Sequence, residues 1–143
     1  MMKNKHYYKD DSVLDCWDGN RIPHRDDGPA IEYANGSEEW YIDGMFHRED
    51  GPAVKWINGR KEWWVNGKLH REDGPAIEFA DGKKGWYING KHLTKEEFDI
   101  HPVRVNYLFT KALEKELTCK NETNNINKYS LFQREKNNEN YRN

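Results

Sequence analysis

Three copies of a His-Arg-acid-Asp string are the residues of this chain whose types could do chemistry: His24-Arg25-Asp26-Asp27, His47-Arg48-Glu49-Asp50 and His70-Arg71-Glu72-Asp73. An imidazole beside carboxylates can hold a metal ion or pass protons as a general acid and base. Spacing argues against both. The strings recur every 23 residues, 24 to 47 to 70. If each unit contributes two strands, equivalent atoms of neighbouring units lie roughly 10 Å apart, whereas ligands sit about 2.0–2.2 Å from a zinc ion. A site would need all its ligands from one copy and would then be present three times. His24, Arg25, Asp27, His47, Arg48, Asp50, His70, Arg71 and Asp73 therefore read as a structural ladder. In it each Arg bridges to an acid of its own or a neighbouring loop, and each Asp before Gly caps a turn. No catalytic residue, metal or cofactor is assigned. There is no Gly-rich phosphate loop, nucleophile elbow or CxxC, and Cys16 and Cys119 lie in segments without an evident partner base.

The elements that carry these strings must come from a short and polar chain. Its 143 residues suit one domain with tails, and 34% of them are charged. Six Trp, eight Tyr and five Phe argue against wholesale disorder. The net charge of -2, from 23 basic and 25 acidic residues, gives no global field toward nucleic acid or an anionic membrane. Charge is uneven, however. Residues 24–46 carry one Arg against six acids (-5), 47–69 five basic against three acidic (+2), and 70–92 four of each. Two cysteines make no disulfide framework, and no apolar stretch reaches the length of a signal core or membrane span. These features predict a cytoplasmic protein without a membrane partner.

Each unit holds two Asn/Asp-Gly dipeptides, Asn35-Gly36 and Asp43-Gly44 in the first, Asn58-Gly59 and Asn66-Gly67 in the second, Asp81-Gly82 and Asn89-Gly90 in the third. Both central residues of a type I′ turn need positive φ, so these are hairpin marks. A two-residue loop at Asn35-Gly36 would place Ile31 opposite Trp40 and Glu32 opposite Glu39. The same register puts Val54 opposite Trp63, Lys55 opposite Glu62, and Ile77 opposite Trp86. Period-2 alternation then gives a twelve-residue inner face: Ile31, Tyr33, Trp40 and Ile42, Val54, Trp56, Trp63 and Val65, Ile77, Phe79, Trp86 and Ile88. Tyr41, Trp64 and Tyr87 fall on the opposite, charged face. Three large rings there make a contact surface, because Trp and Tyr dominate interface hot spots. With Glu32, Glu39, Lys55 and Glu62 they form the expected partner-binding set.

The unit resembles the MORN repeat, whose pattern runs roughly Gly-Lys-x-His-Gly-x-Gly, a strand, Asp-Gly and then Tyr-x-Gly. Gly67, Lys68, His70, Gly74 and Asp81-Gly82 match, while Arg71-Glu72-Asp73 is inserted before the second Gly and Ala76 follows Pro75. The HREDGPA form is similar to repeat proteins of phages and giant viruses and, more loosely, to bacterial antitoxins with MORN-type repeats. The resemblance covers about 24–93. It implies an elongated antiparallel sheet of stacked hairpins and a binding or scaffolding role, and it implies no catalysis.

Outside the repeats, 1–23 reads as an N-terminal segment with a degenerate unit ending at Cys16–Pro23, where Trp17-Asp18-Gly19 echoes Ile42-Asp43-Gly44. Residues 94–119 read as a helical cap. Thr94 with Glu97 makes a capping box and Leu93 with Phe98 a hydrophobic staple, and the helix should stop before Pro102. A second helix over about 102–118 has an apolar stripe of Val105, Leu108, Phe109, Ala112, Leu113 and Leu117, expected to cover part of the sheet. The Asn-rich 120–143 reads as a flexible tail with one apolar knot, Tyr129–Phe132.

The function expected from the sequence is thus a non-enzymatic, mainly β repeat protein that binds and modulates another protein, as a phage-encoded inhibitor of a host defence factor would. The alternatives are an antitoxin-type neutraliser, a nucleotide or single-stranded nucleic-acid binder using rings as stacking platforms, and, last, a metal-dependent hydrolase using one HRED loop. The acidic first unit argues against nucleic acid. An unpaired edge after the last hairpin leaves room for a homo-oligomer.

Overall fold

A computed structural model describes residues 3–16, 18–118 and 120. The chain is mainly β. Each 23-residue unit forms two hairpins in succession. The first hairpins are β3 (Ile31–Glu32) with β4 (Glu38–Glu39), β7 (Val54–Lys55) with β8 (Lys61–Glu62), and β11 (Ile77–Glu78) with the start of β12 (Lys84–Ile88). The second hairpins are β5 (Tyr41–Ile42) with β6 (Met45–Phe46), β9 (Trp64–Val65) with β10 (Lys68–Leu69), and the end of β12 with β13 (Lys91–Leu93). With β1 (Lys5–Tyr7), β2 (Val13–Leu14) and β13, the first hairpins build one antiparallel nine-stranded sheet, ordered β13-β12-β11-β8-β7-β4-β3-β1-β2.

The two Asn/Asp-Gly dipeptides of a unit do different work. The second is the expected two-residue turn: Asp43, Asn66 and Asn89 have φ of 49–51°, each followed by a glycine of positive φ, and Ile42 pairs with Met45. The first is a three-residue loop. Gly36 N–H donates to Tyr33 C=O (2.9 Å) and Tyr33 N–H to Ser37 C=O (2.9 Å), so a type I turn is closed by a bulge at Gly36, φ 89°. Asn35 keeps negative φ, and its side chain accepts the N–H of Ser37 (2.9 Å). The extra loop residue shifts the expected register by one.

A one-residue slip moves every side chain of a strand to the other face. Ile31 pairs with Glu39, Val54 with Glu62 and Ile77 with Gly85, not with the tryptophans. Glu32 faces Glu38 and Lys55 faces Lys61, replacing the expected Glu32/Glu39 and Lys55/Glu62 pairs. Of the twelve expected core positions, Ile31, Val54, Ile77 and Ile88 are buried; Trp56 and Phe79 are exposed, and the rest are half-buried. The sequence reading gave no role to Ala30, Ala53 and Ala76, yet none of the three has any exposed surface.

The chain divides into two compact units, Met1–Arg104 and Val105–Asn143. Within the first, α1 (Lys95–Asp99) begins at the capping box, Thr94 Oγ1 accepting Glu97 N–H (3.1 Å) and Glu97 accepting Thr94 N–H (2.8 Å). It drops Phe98 onto Ile88 and Leu93, with Trp86 and Val103 alongside. The second helix, 102–118, starts at Pro102 as expected. Its apolar stripe, Val105, Leu108, Phe109, Leu113 and Leu117, belongs to the second unit. Cys119 and the tail with its Tyr129–Phe132 knot lie outside the described residues.

Candidate functional site: the His-Arg-acid-Asp loops

The nine predicted ladder residues take the same places in all three loops. His24 Nδ1 accepts the backbone N–H of Asp43 (3.1 Å), His47 that of Asn66 (3.2 Å) and His70 that of Asn89 (3.1 Å). Each imidazole thus pins the two-residue turn of its own unit. The other ring nitrogen, Nε2, faces the loop's first acid: Asp26 at 3.3 Å, Glu49 at 3.8 Å, Glu72 at 3.4 Å.

Each guanidinium lies over an aromatic ring of the preceding unit, Arg25 over Tyr7 (4.1 Å), Arg48 over Trp40 (4.1 Å) and Arg71 over Trp63 (3.9 Å). Its Nε donates to the loop's Asp, to Asp27 (2.8 Å), Asp50 (2.6 Å) and Asp73 (2.6 Å), and its Nη1 to the carbonyl of Pro29, Pro52 or Pro75. The expected turn-capping role of these aspartates is replaced by this clamp on Arg. The adjacent guanidinium holds the carboxyls of Asp27 and Asp50 below the usual range. Glycine leaves room for it: a Cβ on Gly28, Gly51 or Gly74 would meet Arg Cζ at 2.9, 3.1 or 2.9 Å, so the guanidinium would have to shift. A planar cation held between a ring and a carboxylate joins neighbouring units.

Between successive loops run shallow grooves. One is lined by Arg25, Asp27, Pro29, Trp40, Arg48 and Asp50, and a second, between β1 and the first loop, by Tyr7, Lys9, His24 and Asp26 among others. Their rims are acidic and solvated, the side chains of Asp26, Asp27, Glu49 and Asp50 being 86, 84, 84 and 81% exposed.

The expected outward stripe is placed differently. Tyr41 Oη donates to Glu39 (3.1 Å) and Trp64 Nε1 to Glu62 (2.9 Å), both acceptors being buried. Phe46 lies between these two rings, 4.3 Å from Tyr41 and 5.4 Å from Trp64. Tyr87 folds toward Gly85, where a Cβ would sit 3.1 Å from its ring, and meets His92 (4.9 Å). Tyr41 and Trp64 thus turn toward the buried Glu39 and Glu62, and the slip in register is the cause. Glu32 and Lys55 lie on the other face: Glu32 accepts from Arg25 (2.9 Å), and Lys55 pairs with Glu38 (3.0 Å) over the Trp40 ring (4.7 Å). The -5 of the first unit is met by neighbours, with Lys5 at Glu32, Lys55 at Glu38 and Lys9 at Asp43.

Burial raises the Glu39 carboxyl above its ordinary range, against the hydrogen bonds of Tyr41 and Tyr33. A raised folded value means that the stability tied to its proton is present below about pH 4.5 and lost as pH rises through the folded value. Glu39→Gln, which keeps an acceptor for Tyr41, is therefore expected to match or exceed the wild-type melting temperature at pH 7. The difference should close as pH falls toward 4.5, read by thermal melts across that range.

Sequence reasoning missed Tyr7, and a signal was present: Lys5-His6-Tyr7-Tyr8 is the same strand as Glu38–Tyr41, Lys61–Trp64 and Lys84–Tyr87. Sixteen residues separate Tyr8 from His24 where six separate Tyr41 from His47, and that insertion of ten broke the period. No group of three or more His, Cys, Asp or Glu among the described residues is placed to hold a metal ion. None of the helices among them is long and apolar enough to cross a membrane. No protein-family model, curated protein or solved structure matches the chain. Fold and loops together define a stack of antiparallel β-hairpins tied by arginine-over-ring clamps.

Proposed function

We propose that the chain is a non-enzymatic repeat protein that binds another protein along the grooves between its loops, and that the partner presents Lys or Arg side chains there. The observation that carries this reading is the exposure of Asp26, Asp27, Glu49 and Asp50 above a Trp40 floor. Carboxylates at such rims select cationic partners and speed encounter, and an aromatic floor supplies contact area. A non-enzymatic role fits loops that repeat one arrangement three times, with each imidazole engaged by a turn amide and each Arg by a ring. The resemblance to phage and giant-virus repeat proteins supports a modulating or inhibitory effect on a cytoplasmic host factor.

Affinity capture from host lysate tests the reading. Wild type is expected to retain a discrete protein that is released between low and moderate salt, and Asp26→Asn/Glu49→Gln is expected to lose it. Retention of the same protein by both forms would refute the assignment of the rims.

A further inference from the structure

Two strand types alternate across eight strands of the nine-stranded sheet, all but β13. One is Val13-Leu14-Asp15, Ala30-Ile31-Glu32, Ala53-Val54-Lys55 and Ala76-Ile77-Glu78; the other is Lys5-His6-Tyr7, Glu38-Glu39-Trp40, Lys61-Glu62-Trp63 and Lys84-Gly85-Trp86. Every junction between units sets the second type against the first in one register: His6 with Ile31, Glu39 with Val54, Glu62 with Ile77. One residue along, each junction opposes unlike charges, Lys5 with Glu32, Glu38 with Lys55 and Lys61 with Glu78. The ring residue's amide then donates to the alanine, Tyr7 to Ala30 (2.8 Å), Trp40 to Ala53 (2.7 Å) and Trp63 to Ala76 (2.8 Å).

The array begins on the first type and ends on the second. Beyond β2 there is no further strand among the described residues. Along Lys84–Gly85, β12 has β11 on one side only, since β13 runs beside Trp86–Ile88. The register of β2 on β1, His6 with Leu14, repeats that of Glu39 with Ile31, so Leu14 and Asp15 stand where Ile31 and Glu32 stand in the next unit.

We propose that these two ends are complementary and that the chain associates head to tail, β2 of one copy adding to Lys84–Gly85 of another. Leu14 then faces Gly85 and Asp15 faces Lys84, the same unlike-charge step that each internal junction makes. Strand addition at an open edge supplies main-chain hydrogen bonds, and a heterologous contact of this kind propagates instead of closing on a pair. The junction is shorter than the internal ones because Trp86 pairs with Leu93. Its association is therefore weak and visible only as concentration rises.

Sedimentation equilibrium of the full chain from micromolar to millimolar concentration reads this directly. Wild type is expected to gain average mass with concentration. Lys84→Glu and Asp15→Lys place like charges in contact and should each weaken association by about tenfold or more. Lys84 and Asp15 are exposed, so melting temperatures are expected to hold. Mixing the two variants restores unlike charges at both kinds of junction, the new Glu against the new Lys and the native Lys84 against the native Asp15, and is expected to recover association that grows with concentration as in wild type. A monomer at every concentration, association indifferent to the single reversals, or a mixture no more associated than its components would overturn the proposal.

Discussion

Replacing Phe98 with Ala is expected to lower the unfolding free energy by about 3–5 kcal/mol, the range for deleting a large buried ring. Phe98 is 0% exposed, the largest fully buried side chain among the described residues. Its ring lies 4.6 Å from that of Trp86, with the Arg104 guanidinium 4.7 Å above it and Ile88 and Leu93 packed around it. In the earlier units the ring at this position, Tyr7, Trp40 or Trp63, is covered by the next loop's Arg. After the third unit no such loop follows, and α1 supplies Lys95 (4.9 Å) and Phe98 over Trp86 instead. Removing Phe98 therefore uncaps the stack as well as leaving a cavity. Urea denaturation followed by tryptophan fluorescence measures the loss; a change under about 1 kcal/mol would mean that α1 is not the cap.

Val54→Asp should be at least as severe, about 3–5 kcal/mol at neutral pH, because it buries an unpaired charge. Val54 is 2% exposed and lies between Glu39 on β4 and Glu62 on β8. The new carboxylate would face two others already buried on the same face. Burial and like charge both raise the folded pKa of such a group, so its penalty is largest above the folded value and shrinks as pH falls. The variant should thus recover stability on acidification relative to wild type, and Val54→Asn should not. Paired melts of the two variants at neutral and mildly acid pH separate the charge from the polarity.

These two positions also mark how far the sequence could be read. Phe98 was legible because its capping box and staple are local, within Leu93–Phe98, and need no knowledge of the sheet. Val54 was legible as core from its branched side chain, but its partners were not. Asn35-Gly36 and Asp43-Gly44 look alike as dipeptides, yet one closes a three-residue loop and the other a two-residue loop. The choice lies in strand twist and in how the unit must meet its neighbour, which no single turn encodes. That one residue exchanged Trp40 for Glu39 opposite Ile31, and with it turned Tyr41 and Trp64 inward. The ladder was legible as a structural motif from its threefold recurrence. Its geometry was not, because the ring beneath each Arg comes from the preceding unit, eight residues back for Trp63 and Trp40 but eighteen back for Tyr7.

Two jobs fall within one loop under the proposed function: the His and Arg hold the stack together, and the carboxylates at the rim are proposed to meet a partner. The most direct test measures, for the captured partner, both affinity and unfolding free energy in two variants. Asp26→Asn/Glu49→Gln is predicted to lose about tenfold or more in affinity with stability unchanged, while Arg48→Ala is predicted to lose about 1–2 kcal/mol of stability through its ring and carboxylate contacts. A rim variant that binds like wild type, or an Arg48 variant as stable as wild type, would contradict it.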